Sequence, residues 1–151
     1  MHVMENELHK TLMDLVGILN SPILADRLLR GSGVSIDRAL FPLLVRISHR
    51  GPIGVAELSK LVGRDHTTVS RQIAKLETMK LIQRRNGTQD HRLREAVVTK
   101  EGQRAVIALG RARNELLNEV LSEWSSKDRL QLTLLTRRFV DALSQFVSEM
   151  S

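Results

Sequence analysis

The side chains able to do chemistry in this sequence are mostly cationic, and they are crowded together. Residues 46–94 hold eleven Lys and Arg (Arg46, Arg50, Lys60, Arg64, Arg71, Lys75, Lys80, Arg84, Arg85, Arg92 and Arg94) against Glu57, Asp65, Glu77 and Asp90, an excess of +7. The remaining chain, with 12 basic and 13 acidic residues, comes to −1, so this third of the molecule carries all of the net +6. Guanidinium and ammonium groups gathered in this way are the electrostatic footprint of a phosphate-backbone binder. A solvated basic face is the plainer alternative.

Other chemistries have no such foothold. Cysteine is absent, which removes disulfides, thiolate zinc or iron–sulfur sites, and thiol nucleophiles or redox sensors. No nucleophile–base–acid spacing, Gly-rich phosphate loop or metal motif occurs, so no catalytic residue, metal site or cofactor is expected. His2, His9, His49, His66 and His91 match no standard ligand set. With Trp124, Phe41, Phe139 and Phe146 as the only aromatics, the chain lacks the platforms that stack single-stranded bases. Its 151 residues suit one compact domain or a small domain with extensions. No apolar run approaches the roughly 18 residues that span a bilayer, and residues 1–7 lack a signal-peptide pattern. The expectation is a cytoplasmic protein with no membrane partner.

The elements that must position these cations follow from the apolar spacing. Leu8, Leu12, Leu15 and Leu19 predict an amphipathic helix from residue 5 to about 30, disturbed at Ser21-Pro22 and ended by Gly31-Ser32-Gly33. Ser35 or Asp37 can cap a second helix carrying Leu40, Leu43, Leu44 and Ile47, which stops at Gly51-Pro52. Residues 55–62 read as a short helix closed by Gly63. Asp65 or Thr67 can then cap a helix with Val69, Ile73 and Leu76 on one face and Thr67, Arg71, Ala74, Lys75 and Thr78 on the other, Ser70 flanking. Two short helices joined by a tight glycine turn, the second polar and basic outside, describe a helix-turn-helix. Residues 81–85 and 93–98 are strand-length, with turn chemistry at 86–91, so a basic-tipped hairpin follows as a wing. Two further helices carry Val106 to Trp124 and Leu132 to Val147, separated by residues 125–128. The fold class is mainly α with a small β-hairpin wing.

Between residues 58 and 102 the sequence resembles the MarR family of winged helix-turn-helix transcriptional regulators. The matching pieces are Glu57-Leu58-Ser59 with Leu61, then Thr67-Thr68-Val69-Ser70-Arg71 leading to Leu76-Glu77, and Leu81-Ile82 with Arg84. Asp90-x-Arg92 follows, and after it Val98-Thr99 and Gly102 at family spacing. The layout extends the resemblance over the whole chain. It implies one domain over 1–151, with a winged-helix DNA-binding unit at 35–99 and helical dimerisation regions at 5–30 and 100–150. Two positions depart from the family. Lys80 stands where members commonly have Gly, and a left-handed backbone there costs a Lys roughly 1 kcal/mol that Gly avoids. The wing tip lacks the proline often found before the Asp.

The resemblance implies roles for particular residues. The helix around 67–79 enters the major groove of double-stranded DNA, with Arg71 reading a guanine edge. Thr67, Thr68 and Ser70 reach bases or phosphates, and Lys75 meets phosphate. Arg92 approaches a minor groove, Asp90 shapes Arg92 or the wing backbone, and Arg84, Arg85 and Arg94 contact phosphate. Apolar residues beyond what a winged unit can cover, among them Leu12, Leu135, Phe139, Phe146 and Val147, read as the interface of a homodimer on a palindromic operator, the alternative being a helical core within one chain. Family members are most often repressors. They often bind small, frequently aromatic effectors between the dimer helices and the winged unit. The alternative reading is a winged-helix module for protein–protein assembly that does not read DNA.

Overall fold

Proline 22 splits what the apolar spacing reads as one amino-terminal helix. In the computed structural model, which describes residues 2–150, α1 (His2–Leu19) ends before Ser21, and α2 (Pro22–Ser32) begins afresh. Ser21 is the N-cap of α2, its hydroxyl accepting the Ile23 N–H, and Pro22 occupies the first helical turn, where its missing N–H costs nothing. The predicted disturbance is therefore a complete break. Met1 and Ser151, included in the single-domain expectation over 1–151, lie outside the described residues.

The described residues form two compact units, one through Arg113 and one from Asn114 onward. In the first, α3 (Phe41–Arg50), α4 (Val55–Val62) and α5 (His66–Thr78) pack around a core that includes Leu43, Leu44, Ile47, Leu58, Val69, Ile73 and Leu76. Neither expected cap of the second helix holds its first turn. Asp37 instead closes a turn just upstream, accepting the Ala39 N–H at 2.9 Å, and α3 starts at Phe41 with Leu40 as its N-cap. The wing is larger than a hairpin. The strands β2 (Ile82–Asn86) and β3 (Arg94–Val98) pair antiparallel, and a two-residue strand β1 (Ile53–Gly54) pairs with the other edge of β3. The three-stranded order is β1-β3-β2. Ile53 is buried opposite Ala96, so this short strand fastens the wing to the helical core. Two residues carry no periodicity, which is why the spacing missed it.

The junction between α5 and β2 bears out the expectation at Lys80, whose φ is 61°. Leu81 N–H donates to the Leu76 carbonyl and Lys80 N–H to the Glu77 carbonyl, at 3.1 and 2.9 Å. This is the helix-ending pair of bonds that wants a left-handed residue between them. Lys80→Gly is expected to stabilise the fold by up to about 1 kcal/mol, read as a higher melting midpoint. An unchanged or lower midpoint counts against strain at this position.

The long helix α6 (Lys100–Val120) leaves β3 through Thr99 and runs from the first unit into the second. The second unit contains the end of α6 and all of α7 (Ser126–Glu149). Ser125 caps α7 by accepting the Asp128 N–H at 3.1 Å, while Arg129 donates to the carbonyls of Leu121 and Trp124 in the turn that follows α6. No residue of α7 is buried.

Candidate nucleic-acid interface

The helix α5 is set on the core by Val69, Ile73 and Leu76, all essentially solvent-free, which turns the opposite face outward. On that outward face Thr67, Arg71, Ala74, Lys75 and Thr78 are exposed, and Ser70 is half-buried beside them. Asp65 is the N-cap. It accepts both the backbone N–H and the hydroxyl of Thr68, at 2.9 and 2.5 Å. The Thr68 hydroxyl, followed by its N–H, holds the Asp65 carboxyl below the usual carboxylate range. Thr68 is thus engaged in fixing the helix start, which leaves Thr67 and Ser70 as the more available hydroxyls.

In the wing, Arg85, Arg92 and Arg94 are exposed. Strand alternation puts Arg84 on the opposite face from its neighbour Arg85: paired with buried Ala96 across the ladder, it turns toward α5. Its Nε lies 3.3 Å from Glu77 Oε2, and its side chain is only 25% exposed. This makes Arg84 a strut between wing and helix before it is a phosphate ligand. Asp90 folds the tip by accepting the Arg92 backbone N–H at 3.0 Å. Leu93 N–H donates to the Asp90 carbonyl and Gly87 N–H to the Leu93 carbonyl, at 3.1 and 2.8 Å. Asp90 therefore shapes the backbone that carries Arg92.

Two residues with roles other than those the sequence suggested tie α5 to the rest of the unit. Arg64 Nη1 donates to the Ala39 carbonyl at 2.7 Å and to Gln72 Oε1 at 2.9 Å. Asp37 Oδ2 stands 3.7 Å from Lys75 Nζ. The Ala39 N–H, together with the Lys75 and Arg38 charges, holds the Asp37 carboxyl below its ordinary value. No local pattern marks the partners of Arg64, which lie 25 and 8 positions away in the sequence.

A helix and a wing with this exposure and charge are what a duplex-binding winged helix needs, and comparison with known proteins identifies the family. The MarR family model matches residues 36–93, the span from the turn before α3 to the wing. The HTH-type transcriptional regulator YxaD of Bacillus subtilis is 32% identical over 104 residues, covering 69% of this chain and 73% of its own length. The chain belongs to the MarR family. It is a DNA-binding transcriptional regulator, and members of this family are regulators, not enzymes. The MarR fold extends well beyond the matched span. A MarR family protein from Bacillus stearothermophilus superposes with a TM-score of 0.81 at 19% identity, covering 95% of this chain and 98% of its own. A crystal structure of MarR gives 0.76 at 21% identity over 91% and 94% of the two chains. The alternative of a module that ignores DNA is set aside by this membership.

Proposed function

We propose that this MarR regulator acts in the cytoplasm as a homodimeric repressor that reads a palindromic operator and releases it on binding a small molecule. In this reading residues 35–99 are the reader, α5 lies in the major groove and the wing reaches a minor groove. The observation that carries it is the exposure of Arg71 and Lys75 on α5, and of Arg85, Arg92 and Arg94 on the wing, within one compact unit. Arg71 has the fork that bonds two acceptors on a guanine edge. Arg92, on a tip folded by Asp90, suits the negative potential of a narrow groove. Thr67 and Ser70 line the helix start, while Thr68 and Arg84 serve the interface by holding its parts.

Support for an effector comes from a cavity of about 400 Å³ lined by Leu28 of α2, Phe41, Val45, Arg46 and His49 of α3, and Val106, Leu109 and Arg113 of α6. Its volume suits a small organic molecule. An apolar wall with basic side chains among its lining favours an aromatic or otherwise apolar ligand bearing negative charge. Ligand binding relieves repression only to the extent that the ligand prefers one arrangement of the protein.

The test is selection of bound sequences from random duplexes, followed by affinity measurements on the recovered operator. Arg71→Ala is expected to weaken binding by about tenfold to a hundredfold and to relax base preference at one position. Arg92→Ala is expected to weaken binding most where the flanks are A·T-rich. Parent-like binding by both variants would show that these faces do not meet DNA.

A further inference from the structure

Among the cations of the outward face of α5, Lys75 already faces an acid. The carboxylate of Asp37 is fixed by one oxygen: Oδ1 accepts the Ala39 N–H at 2.9 Å, leaving Oδ2 beside Lys75 Nζ at 3.7 Å. The turn that carries Asp37 is held to α5 independently of this ion pair, because Arg64 bridges the Ala39 carbonyl and the Gln72 side chain. The acid is therefore stationed next to the ammonium by the fold, not by the attraction itself. Both partners are more than half exposed, at 60% for Lys75 and 53% for Asp37. An ion pair so open to water adds little to folding. It does place a negative charge on a surface that must approach a polyanion.

We infer that Asp37 is a built-in brake on DNA affinity: its carboxylate holds the Lys75 ammonium, so that a backbone phosphate must displace it to gain that contact. The inference rests on the reading that Lys75 meets phosphate. When Lys75 transfers to the duplex, Asp37 loses its partner and is left facing the phosphates. The DNA-bound state then keeps a cation near Asp37, which offsets part of the counterion release that drives binding. The brake lowers affinity for all sequences alike, because a phosphate contact carries no base information. A regulator restrained in this way depends more heavily on its base contacts to distinguish an operator from bulk DNA.

The experiment compares the full chain with Asp37→Asn, Lys75→Gln and the double variant on the operator duplex across a salt series. Asparagine at 37 keeps an oxygen for the Ala39 N–H and removes only the charge. A melting curve for each variant verifies the fold, and Asp37→Ser, whose hydroxyl can also accept that N–H, replaces the Asn variant should its midpoint fall. The expected result is that Lys75→Gln weakens binding, while Asp37→Asn strengthens it by about threefold to tenfold at low salt, with a log–log salt slope steeper by up to about one. The gain shrinks as salt rises and is absent in the Lys75→Gln background. Weaker binding by Lys75→Gln with no gain from Asp37→Asn overturns the brake alone. Unchanged binding by Lys75→Gln overturns the phosphate contact and the brake together. An equal gain from Asp37→Asn in both backgrounds also overturns the brake, because it reduces Asp37 to a charge that repels DNA without acting through Lys75.

Discussion

If the regulator is the homodimer proposed above, Phe139→Asp or Phe146→Asp is expected to give monomers and to lower affinity for a palindromic duplex by about a hundredfold or more. The reason lies in α7, a helix of 24 residues that buries none of them. Leu132, Leu135, Phe139, Leu143 and Phe146 recur at helical spacing, and each is at least 40% exposed. Isolated helices are marginal in water even with favourable sequences, so a helix with this much uncovered apolar surface needs something against it. We read a second copy as the cover. Leu135, Phe146 and Val147 are exposed, and Leu12 on α1 is half-buried, beside a helix that also exposes Leu8, Met13, Leu15 and Val16. Two-fold symmetry puts each substitution into the interface twice, and a buried unpaired carboxylate is among the costliest groups to hide. Loss of the dimer removes the second recognition helix from its half-site, and with it the advantage of simultaneous engagement. Sedimentation with a parallel operator titration checks both halves of this. A variant that stays dimeric, or a monomer that binds like the parent, removes α7 from the interface.

The parts that were legible in the sequence are those written with a period. Val69, Ile73 and Leu76 share a helical face and are buried, and the cationic face opposite them follows from the same spacing. The left-handed backbone at Lys80 was pointed to by the resemblance alone, through the glycine that family members commonly have there, and not by any pattern in the spacing. What escaped was set by contacts far apart in sequence. Strand β1 exists because Ile53 finds Ala96, 43 positions later. Arg84 looked like one more wing cation until the ladder turned it toward Glu77. Asp37 read as a helix cap, and in the fold it closes a turn while its second oxygen faces Lys75. Each of these is an acid, base or short strand whose partner no local pattern names.

The same substitution at two glycines of α6 is expected to act in opposite directions. Gly102 is buried where the first turn of α6 meets the turn between α5 and β2. Thr99 N–H donates to the Leu81 carbonyl at 3.0 Å, and the Thr99 hydroxyl donates to the Lys80 carbonyl at 2.7 Å and accepts the Gly102 N–H at 3.0 Å. These bonds bring two backbones into direct contact. A Cβ on Gly102 would overlap the Leu81 carbonyl oxygen and lie 2.7 Å from Val98 Cγ2. The obstructing oxygen belongs to the main chain and cannot swing aside as a side chain would. Gly102→Ala is therefore expected to cost about 3 kcal/mol, outweighing the roughly 1 kcal/mol that alanine gains as a helix former. Gly110, two turns further along, has only the tip of Arg113 near its would-be Cβ, at 3.8 Å. Gly110→Ala should keep the propensity gain and stabilise by about 0.5–1 kcal/mol. Thermal melts of the pair separate close backbone approach from helix propensity, since both variants share helix, substitution and unfolded-state change. If Gly102→Ala melts with or above the parent, α6 does not sit against the Leu81 carbonyl, and the junction that joins recognition helix, wing and long helix must be drawn differently.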